Sequence, residues 1–298
     1  MSGSKRSKNG ELLEMIAQGC EELSRAGIEE AREECERILM KLFDCARSAI
    51  YLEKHELILS GLRERFLTIL EKRTRRIPLA YLLKETDFWK ETLCVDERCL
   101  IPRPETEILV EQVLKACRNN GAESFSFLDI GTGSGAIAVA ILRECQNARG
   151  TLLDVSGEAL DVAEENLRRY SLGDRARTVR GDLFGALHPD DRFDWMISNP
   201  PYLSEEDLKN LQKELMFEPR QALDGGKDGL DFFRRIIQEA AGYLNPGGCL
   251  ALELGQGQAD RVSKWLHDAG YVNIHRFKDH LGIERVLIAR TWGKNQKF

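Results

Sequence analysis

The chain has 298 residues and carries 43 Lys and Arg against 49 Asp and Glu, so its net charge at pH 7 is −6. A protein that binds nucleic acid over its whole surface is usually basic, so this balance argues against that class. The length and the hydrophobic fraction of 42% suit one large globular domain or two smaller ones, and no apolar run is long enough to span a membrane.

The cysteines give no indication of a metal site. The chain has eight, scattered through apolar stretches, and no two of them form a C-x-x-C pair. Buried, unpaired thiols are typical of a reducing compartment, which predicts a cytoplasmic location. The first ten residues are basic but have no apolar core, so we expect a loose tail rather than a signal peptide.

Residues 1–75 are predicted to form a small all-helical domain. Apolar residues recur there at helical spacing, with charged residues on the other faces. Three such sets are Leu12, Leu13, Ile16 and Leu23; Ala31, Cys35, Ile38, Leu39 and Leu42; and Leu59, Leu62, Phe66, Leu67 and Leu70. Gly27 separates the first two helices. This domain is either a helical bundle alone or a bundle that also docks a partner. Its four basic residues at positions 72, 73, 75 and 76 form either a local basic patch or a solvated helix end.

Residues 76–104 are predicted to be a linker with a β-hairpin. Pro78, Pro102 and Pro104 interrupt helix in this stretch. The apolar residues that indicate the hairpin are Phe88, Trp89, Leu93, Val95, Leu100 and Ile101.

From residue 105 to residue 298, predicted helices and strands alternate. The predicted strands are 126–130, 150–155, 178–181, 195–198, 249–253, 272–277 and 285–289, and the predicted helices are 105–117, 136–144, 158–169, 231–243 and 260–269. This alternation implies an α/β fold with a doubly wound parallel sheet. A short polar loop joins the last two strands, so we expect them to form an antiparallel hairpin at one edge.

A glycine-rich turn follows the first of these strands. It contains Gly131, Thr132, Gly133, Ser134 and Gly135, and Asp129 stands two residues before the first glycine. Glycines let the backbone turn tightly and approach a ligand, and the next helix aims its N–H groups at negative charge. A G-x-G pattern also occurs in dinucleotide enzymes, but G-x-G-x-G after an acid favours S-adenosylmethionine over NAD. The alternative is a strand–helix turn that binds nothing.

Two further strand ends carry candidate cofactor residues. Asp154 closes the second strand, where a carboxylate can accept hydrogen bonds from both ribose hydroxyls. Asp182 and Leu183 follow the third strand and can offer a polar group to the adenine edge and an apolar wall to its face. An isolated Asp at a strand end is usually a cap. The cofactor prediction therefore depends on the glycine-rich turn, Asp154 and Asp182-Leu183 occurring together in chain order.

The fourth strand ends in Asn199-Pro200-Pro201-Tyr202, at the edge where doubly wound sheets place their chemistry. A planar NH2 group on a conjugated system is a poor nucleophile. The Asn199 side-chain oxygen and the Pro200 carbonyl can each accept one of its N–H bonds and orient the nitrogen for methyl transfer. Tyr202 would form a wall beside the planar group. The alternative is a rigid turn.

These residues resemble the release factor glutamine N5-methyltransferases, the PrmC/HemK family. N-P-P-Y is shared with adenine-N6 and some guanine-N2 methyltransferases, and the more specific segment is Leu100-Ile101-Pro102-Arg103-Pro104-Glu105-Thr106-Glu107. The resemblance also includes Pro78-Leu79-Ala80-Tyr81-Leu82, Phe217-Glu218-Pro219, Gly225-Gly226-Lys227-Asp228-Gly229 and Glu253-Leu254-Gly255-Gln256-Gly257. The chain departs from the family at Arg76-Ile77, where Gly-Glu is usual.

The resemblance implies a seven-stranded, Rossmann-like class I methyltransferase sheet behind an N-terminal helical domain. It implies S-adenosylmethionine as the cofactor, held by residues 131–135, Asp154, Leu183 and Asn199. The substrate would be the glutamine of the Gly-Gly-Gln motif in class I peptide chain release factors, held by Asn199, Pro200, Pro201 and Tyr202. We expect Leu100, Arg103 and Glu105 to narrow the entrance for a peptide.

Two other interpretations stay open. The first is a nucleic-acid amino methyltransferase with the same N-P-P-Y chemistry, against which the net charge and the residue 100–107 segment argue. The second is a catalytically silent module that senses the cofactor or acts as a scaffold. Loss of Asn199 or of the glycines would favour this interpretation, and neither is lost. We expect a monomer that binds no membrane and no nucleic acid in a sequence-specific way.

Overall fold

The computed structural model describes residues 8–52, 59–119 and 124–293. The chain forms two compact units, one of Met1–Lys84 with Lys213–Phe217 and one of Glu85–Gln212 with Glu218–Phe298. Of the predicted N-terminal tail, residues 1–7 lie outside the described residues, and residues 8–10 belong to the first helix.

The first unit is helical. Its helices are α1 (Lys8–Arg25), α2 (Ala31–Phe43), α3 (Arg47–Leu52), α4 (Leu59–Thr74) and α5 (Leu79–Leu83). Ten residues of the predicted apolar sets are buried in its core, namely Leu12, Ile16, Leu23, Ala31, Cys35, Ile38, Leu39, Leu62, Phe66 and Leu70. The predicted inward position of Leu13 is wrong, because an α-helix turns about 100° per residue and Leu13 points away from the face that Leu12 buries, 47% exposed.

Proline begins a helix in the first unit. Pro78 lies in the interruption between α4 and α5, as predicted, and it also caps α5, because the missing N–H of a proline costs no hydrogen bond at a helix start. Just before it, Arg76 has a φ of +70°. The left-handed region favours glycine, so this arginine is an unusual residue at the position. Here Arg76 Nη1 donates to the carbonyl of Gly27 over 2.8 Å.

The short segment Lys213–Phe217 is a 3₁₀ helix of the first unit. Arg73 donates two hydrogen bonds to Glu34, over 2.7 and 3.0 Å, and one to Glu214 over 3.0 Å. Arg76 reaches the other oxygen of Glu214 over 2.9 Å. Arg73 is therefore neither part of a basic patch nor a solvated helix end, whereas Arg75 is exposed and pairs with Glu71.

The second unit begins with a hairpin and continues as an α/β sheet domain. The hairpin strands are β1 (Glu85–Phe88) and β2 (Glu91–Cys94). The sheet strands are β3 (Ser126–Ile130), β4 (Arg149–Asp154), β5 (Ala176–Arg180), β6 (Phe193–Ser198), β7 (Leu244–Glu253), β8 (Val272–Lys278) and β9 (Glu284–Arg290). The helices are α6 (Thr106–Asn119), α7 (Ala136–Glu144), α8 (Gly157–Arg169), α9 (Glu205–Lys209), α10 (Asp231–Ala240) and α11 (Ala259–Asp268).

The seven sheet strands lie in the order β5-β4-β3-β6-β7-β9-β8. Strands β3 to β7 run parallel to one another, while β9 runs antiparallel to both β7 and β8. The predicted doubly wound seven-stranded sheet, its antiparallel hairpin at one edge and the N-terminal helical region are thereby confirmed.

Both faces of the sheet are covered. Along β6, Trp195 and Ile197 pack in one buried cluster, with residues of α6, α7 and α8, and Met196 packs in the other, with residues of α10 and α11. Alternate residues of a strand point to opposite faces, so a strand buried on both sides is apolar throughout.

The strand order fixes where a ligand can bind. The chain leaves β3 for β4 and β5 on one side and then returns to β6 on the other side of β3. Such a reversal opens a crevice beyond the carboxyl ends of the strands. The glycine-rich turn after β3 and the N-P-P-Y segment after β6 both follow these ends.

Candidate functional site

A cleft opens at the carboxyl ends of β3 to β6, within the second unit. Eight of the predicted site residues line it, namely Leu100, Gly131, Asp154, Asp182, Leu183, Asn199, Pro200 and Pro201.

The other predicted site residues do not line this cleft. They are Thr132, Gly133, Ser134, Gly135, Tyr202, Arg103 and Glu105. Thr132 and Ser134 are buried, at 7% and 2% exposure. The Ser134 carbonyl accepts a hydrogen bond from buried Asn166, whose side chain also pairs with the backbone of Cys94 in β2. These residues hold the turn in place beneath the cleft.

The glycine-rich turn is fixed by backbone contacts to the next strand. The N–H groups of Gly131 and Thr132 both donate to the Leu153 carbonyl, over 2.8 and 3.0 Å. Gly131 has a φ of +70°, and a Cβ added there would meet no atom within 4 Å. At Gly135, by contrast, a Cβ would lie 3.2 Å from the Cβ of Ala163 in α8. Gly131 therefore leaves space in the cleft, and Gly135 allows α8 to pack closely.

Asp154 lies at the end of β4 with both carboxylate oxygens engaged. Oδ2 accepts from the N–H of Gly133 and Oδ1 from the N–H of Ser156, each over 2.9 Å. Burial raises the pKa of this carboxyl above its ordinary value, against the lowering effect of these bonds. Each oxygen keeps a second lone pair for a ligand hydroxyl.

Asp129 lies near the end of β3, two residues before Gly131, and it was not among the predicted site residues. It is fully buried, and its Oδ2 accepts from the hydroxyl of Thr132 over 2.6 Å. Its Oδ1 has no partner among the described residues. Burial raises the pKa of Asp129 to about 7, and the charge of Asp154 raises it further. A buried polar atom without a partner is costly, so this end of the turn suits a ligand that donates a hydrogen bond.

The rim at β4 and β5 combines apolar and charged groups. Leu183 is buried with a φ of +49°, a conformation that non-glycine residues adopt rarely. Asp182 is paired with Arg235 over 2.7 Å. Val155 is 53% exposed and lines the cleft. Val155 was not among the predicted site residues, although it directly follows Asp154.

The N-P-P-Y backbone is held by a glycine segment. The N–H of Gly225 donates to the Leu203 carbonyl over 2.8 Å. A Cβ at Gly225 would lie 2.8 Å from Tyr202 Cα, and one at Gly229 would lie 2.3 Å from the Tyr202 carbonyl oxygen. Only glycine fits at these two positions, which explains the G-G-K-D-G sequence. Burial raises the pKa of Tyr202 to about 12, so its hydroxyl is neutral.

The segment before α6 is held by Glu218. This side chain is 1% exposed; it accepts from the N–H of Ile101 over 3.1 Å and pairs with the guanidinium of Arg103. Arg103 therefore supports the segment instead of facing the cleft. Further along, Thr106 Oγ1 accepts a hydrogen bond of 3.0 Å from Asn199 Nδ2.

Within residues 8–52, 59–119 and 124–293 no three His, Cys, Asp or Glu side chains are grouped as metal ligands would be. No helix in those same ranges is long and apolar enough to cross a bilayer.

Comparisons with known proteins match both units. Residues 104–227 match the family described as Methyltransferase small domain, and residues 14–83 match the PrmC N-terminal domain. The chain is 42% identical over 220 residues to a release factor glutamine methyltransferase of Caulobacter vibrioides, covering 74% of this chain and 75% of that protein. It is 38% identical over 269 residues to one of Geobacter sulfurreducens, covering 90% and 92%. A crystal structure of a methyltransferase from Pyrococcus furiosus is similar in fold, with a TM-score of 0.53 and 22% identity over 78% of this chain and 100% of that one.

Proposed function

Because the chain belongs to the family of release factor glutamine methyltransferases, we propose that it transfers a methyl group from S-adenosylmethionine to a side-chain amide nitrogen of glutamine in a protein. The substrate is the glutamine of the Gly-Gly-Gln motif in class I peptide chain release factors. The observation that carries this proposal is the position of Asn199, Pro200 and Pro201, which line the cleft at the end of β6.

The residues of the cleft fit the cofactor. Asp154 accepts the ribose hydroxyls, while Val155, Leu183 and Asp182 surround the base. Gly131 leaves room for the backbone to approach the ligand, and the partnerless oxygen of Asp129 suits a donor such as an ammonium group. When bound, S-adenosylmethionine supplies an electrophilic methyl group on a sulfonium. Thr132, Gly133, Ser134 and Gly135 support this site from beneath.

The chain's own contribution to the reaction is positioning. Asn199 Oδ1 and the Pro200 carbonyl each accept one N–H bond of the substrate amide and thereby orient its nitrogen. Proline has no N–H to compete and keeps its backbone fixed. Tyr202 and Pro201 shape the slot for the planar group. Holding reactants in a reactive orientation contributes several kcal/mol to catalysis, roughly 7–11 in the best cases, without a strong base.

Leu100, Arg103 and Glu105 shape the entrance in different ways. Leu100 lines the cleft, and we assign it the contact with the substrate peptide. Arg103 acts through Glu218, to which it is paired, by holding the backbone of residue 101 in place. Glu105 immediately precedes Thr106 and α6, and it contributes negative charge close to the entrance.

The helical unit, which contains residues 1–75, docks the release factor, and the second unit performs the chemistry. The linker of residues 76–104 connects this docking domain to the catalytic domain of residues 105–298. The enzyme acts as a monomer in the cytoplasm and does not read nucleic-acid sequence, in keeping with the net charge of −6.

Methyl transfer from labelled S-adenosylmethionine tests this function. The acceptors are a release factor, its Gln→Asn variant in the Gly-Gly-Gln motif, duplex DNA and single-stranded DNA. We expect label in the release factor alone. The Gln→Asn variant should stay unlabelled because asparagine is one methylene shorter, so its amide does not reach the acceptors on residues 199 and 200. Label in DNA adenine with none in the release factor would favour the nucleic-acid alternative, and label in no acceptor would favour a binding module.

A further inference from the structure

A buried hydrogen-bonded series links Asn199 to two side chains that the proposed chemistry does not use. Asn199 Nδ2 donates to Thr106 Oγ1 over 3.0 Å, and the Thr106 side chain lies close enough to the Glu253 carboxyl to lower its pKa by hydrogen bonding. Thr106 and Glu253 are 4% and 1% exposed, so water does not compete for these bonds. The three residues come from the start of α6, the end of β6 and the end of β7.

The direction of the hydrogen bonds in this series follows from the number of hydrogens that the Thr106 hydroxyl can donate. A hydroxyl group has one hydrogen to donate and two lone pairs that accept. When Thr106 donates its hydrogen to the Glu253 carboxylate, Oγ1 can only accept from Asn199. The Asn199 amide must then turn its NH2 group toward Thr106, which leaves Oδ1 free on the opposite side.

We propose that Thr106 and Glu253 are positioning residues that fix the orientation of the Asn199 amide, so that its oxygen faces the substrate. This inference rests on the proposed function, in which Asn199 accepts an N–H bond of the substrate amide. If the Asn199 amide were turned the other way, its NH2 group would face the N–H groups of the substrate amide and could not accept from them. The series also gives a role to the threonine of I-P-R-P-E-T-E and to the glutamate of E-L-G-Q-G.

Glu253 accepts from Thr106 when its carboxyl is ionised. Burial and the charge of Glu105 raise the pKa of Glu253 to about 7, against the lowering effects of Thr106, Arg285 and Arg103. Its Oε2 has no partner among the described residues, so the hydroxyl of Thr106 holds the carboxyl from one side only. Above about pH 7 the group is ionised and cannot donate to Thr106.

Substitutions at both residues test the proposal in the full-length enzyme. Thr106→Val keeps the shape and removes the hydroxyl, and Glu253→Gln adds a donor that can reverse the series. Both should lower kcat on the release factor roughly 10- to 100-fold and leave KM unchanged, since they disturb a preorganised acceptor and no docking contact. Thr106→Ser restores the hydroxyl and should recover most of that loss. A Thr106→Val enzyme with the kcat of the parent would overturn the proposal, as would an equal loss in Thr106→Ser.

A double-mutant cycle separates orientation of Asn199 from a general structural role. In an Asn199→Ala background there is no amide to orient, so Thr106→Val and Glu253→Gln should cost no further activity. If these substitutions lowered kcat by the same factor in the Asn199→Ala background as in the parent, the two residues would not act through the Asn199 amide. If the parent methylates DNA adenine instead of the release factor, the proposed function fails while the same cycle on DNA still tests the inference.

The Asn199 side-chain amide can also be observed without turnover. Its two N–H resonances are identified by their loss in Asn199→Ala. One should exchange slowly with solvent in the parent, because it is bonded to buried Thr106, and both should exchange rapidly in Thr106→Val. Rapid exchange of both resonances in the parent would contradict the proposed orientation.

Discussion

The guanidinium of Arg73 lies 3.0 Å from Glu214 Oε1, although 141 residues separate the two in the sequence. The Arg73 side chain is 6% exposed and also pairs with Glu34, so one cation holds two partly buried carboxylates of the helical unit. Removing one partner of a buried ion pair leaves an uncompensated charge.

Arg73→Ala should therefore lower the free energy of unfolding by about 3 kcal/mol in a urea titration. It should also raise KM for the release factor, because the helical unit is the proposed docking domain, while cofactor affinity stays the same. Arg75→Ala is the matched control: Arg75 is 68% exposed, and its pair with Glu71 contributes less than about 0.5 kcal/mol. Equal effects of the two substitutions would contradict the assigned role of Arg73.

Gly131 and Gly135 should respond differently to alanine, although both have a positive φ. The backbone strain of about 1 kcal/mol is common to both. Gly135→Ala also places a Cβ against Ala163 of α8, so it should lower the melting temperature more. Gly131→Ala places its Cβ in the open cleft and should chiefly weaken cofactor binding. Calorimetric scanning and titration measure both quantities, and the reverse ranking would count against the assigned cleft.

Asp154→Ala should weaken S-adenosylmethionine binding, because the carboxylate is the proposed ribose acceptor. Loss of a hydrogen bond to a charged group costs about 1.5–3 kcal/mol, which corresponds to roughly a 10- to 150-fold higher Kd. Since Asp154 also accepts from Gly133 and Ser156, a thermal melt must first establish that the variant is folded. Unchanged affinity in a folded variant would remove the ribose assignment.

The stability of the protein should depend on pH through Asp129. Its folded pKa is about 7, above the ordinary value of 3.8. Between these values the folded state keeps a proton that the unfolded state has lost, so the contribution of Asp129 to stability is present below about pH 4 and lost as the pH rises through about 7. Asp129→Asn does not titrate in this window. Its stability relative to the parent should therefore rise from about pH 5 to about pH 8 in urea titrations, and a constant difference would refute the raised pKa.

The sheet and the cleft at its carboxyl edge could be predicted because their signals are local. Strands such as β6 are buried on both faces and carry consecutive apolar residues, here 195–197, and polar side chains at their carboxyl ends indicate the crevice. Asp154 and Asn199 were found in this way. Strand β7 starts earlier than predicted, at residue 244, because Asn245, Pro246 and Gly247 mask the beginning of a strand that pairs irregularly with β6.

The supporting residues could not be predicted, because their partners are distant in the sequence. Asn166 bonds to Cys94, Glu218 to Ile101 and Arg103, and Glu214 to Arg73, and none of these pairs leaves a periodic pattern. The segment Lys213–Phe217 likewise belongs to the helical unit through such contacts. A buried polar residue in a sequence signals that a partner exists but does not identify it.

The most direct test of the proposed function is to locate the methyl group by fragment mass spectrometry on a release factor incubated with the enzyme and S-adenosylmethionine. We predict one added methyl group on the side chain of the glutamine in the Gly-Gly-Gln motif. With Asn199→Ala the same product should form on the order of 100- to 1000-fold more slowly, while release-factor affinity is nearly unchanged. A methyl group on another residue, or an Asn199→Ala enzyme as fast as the parent, would contradict the account.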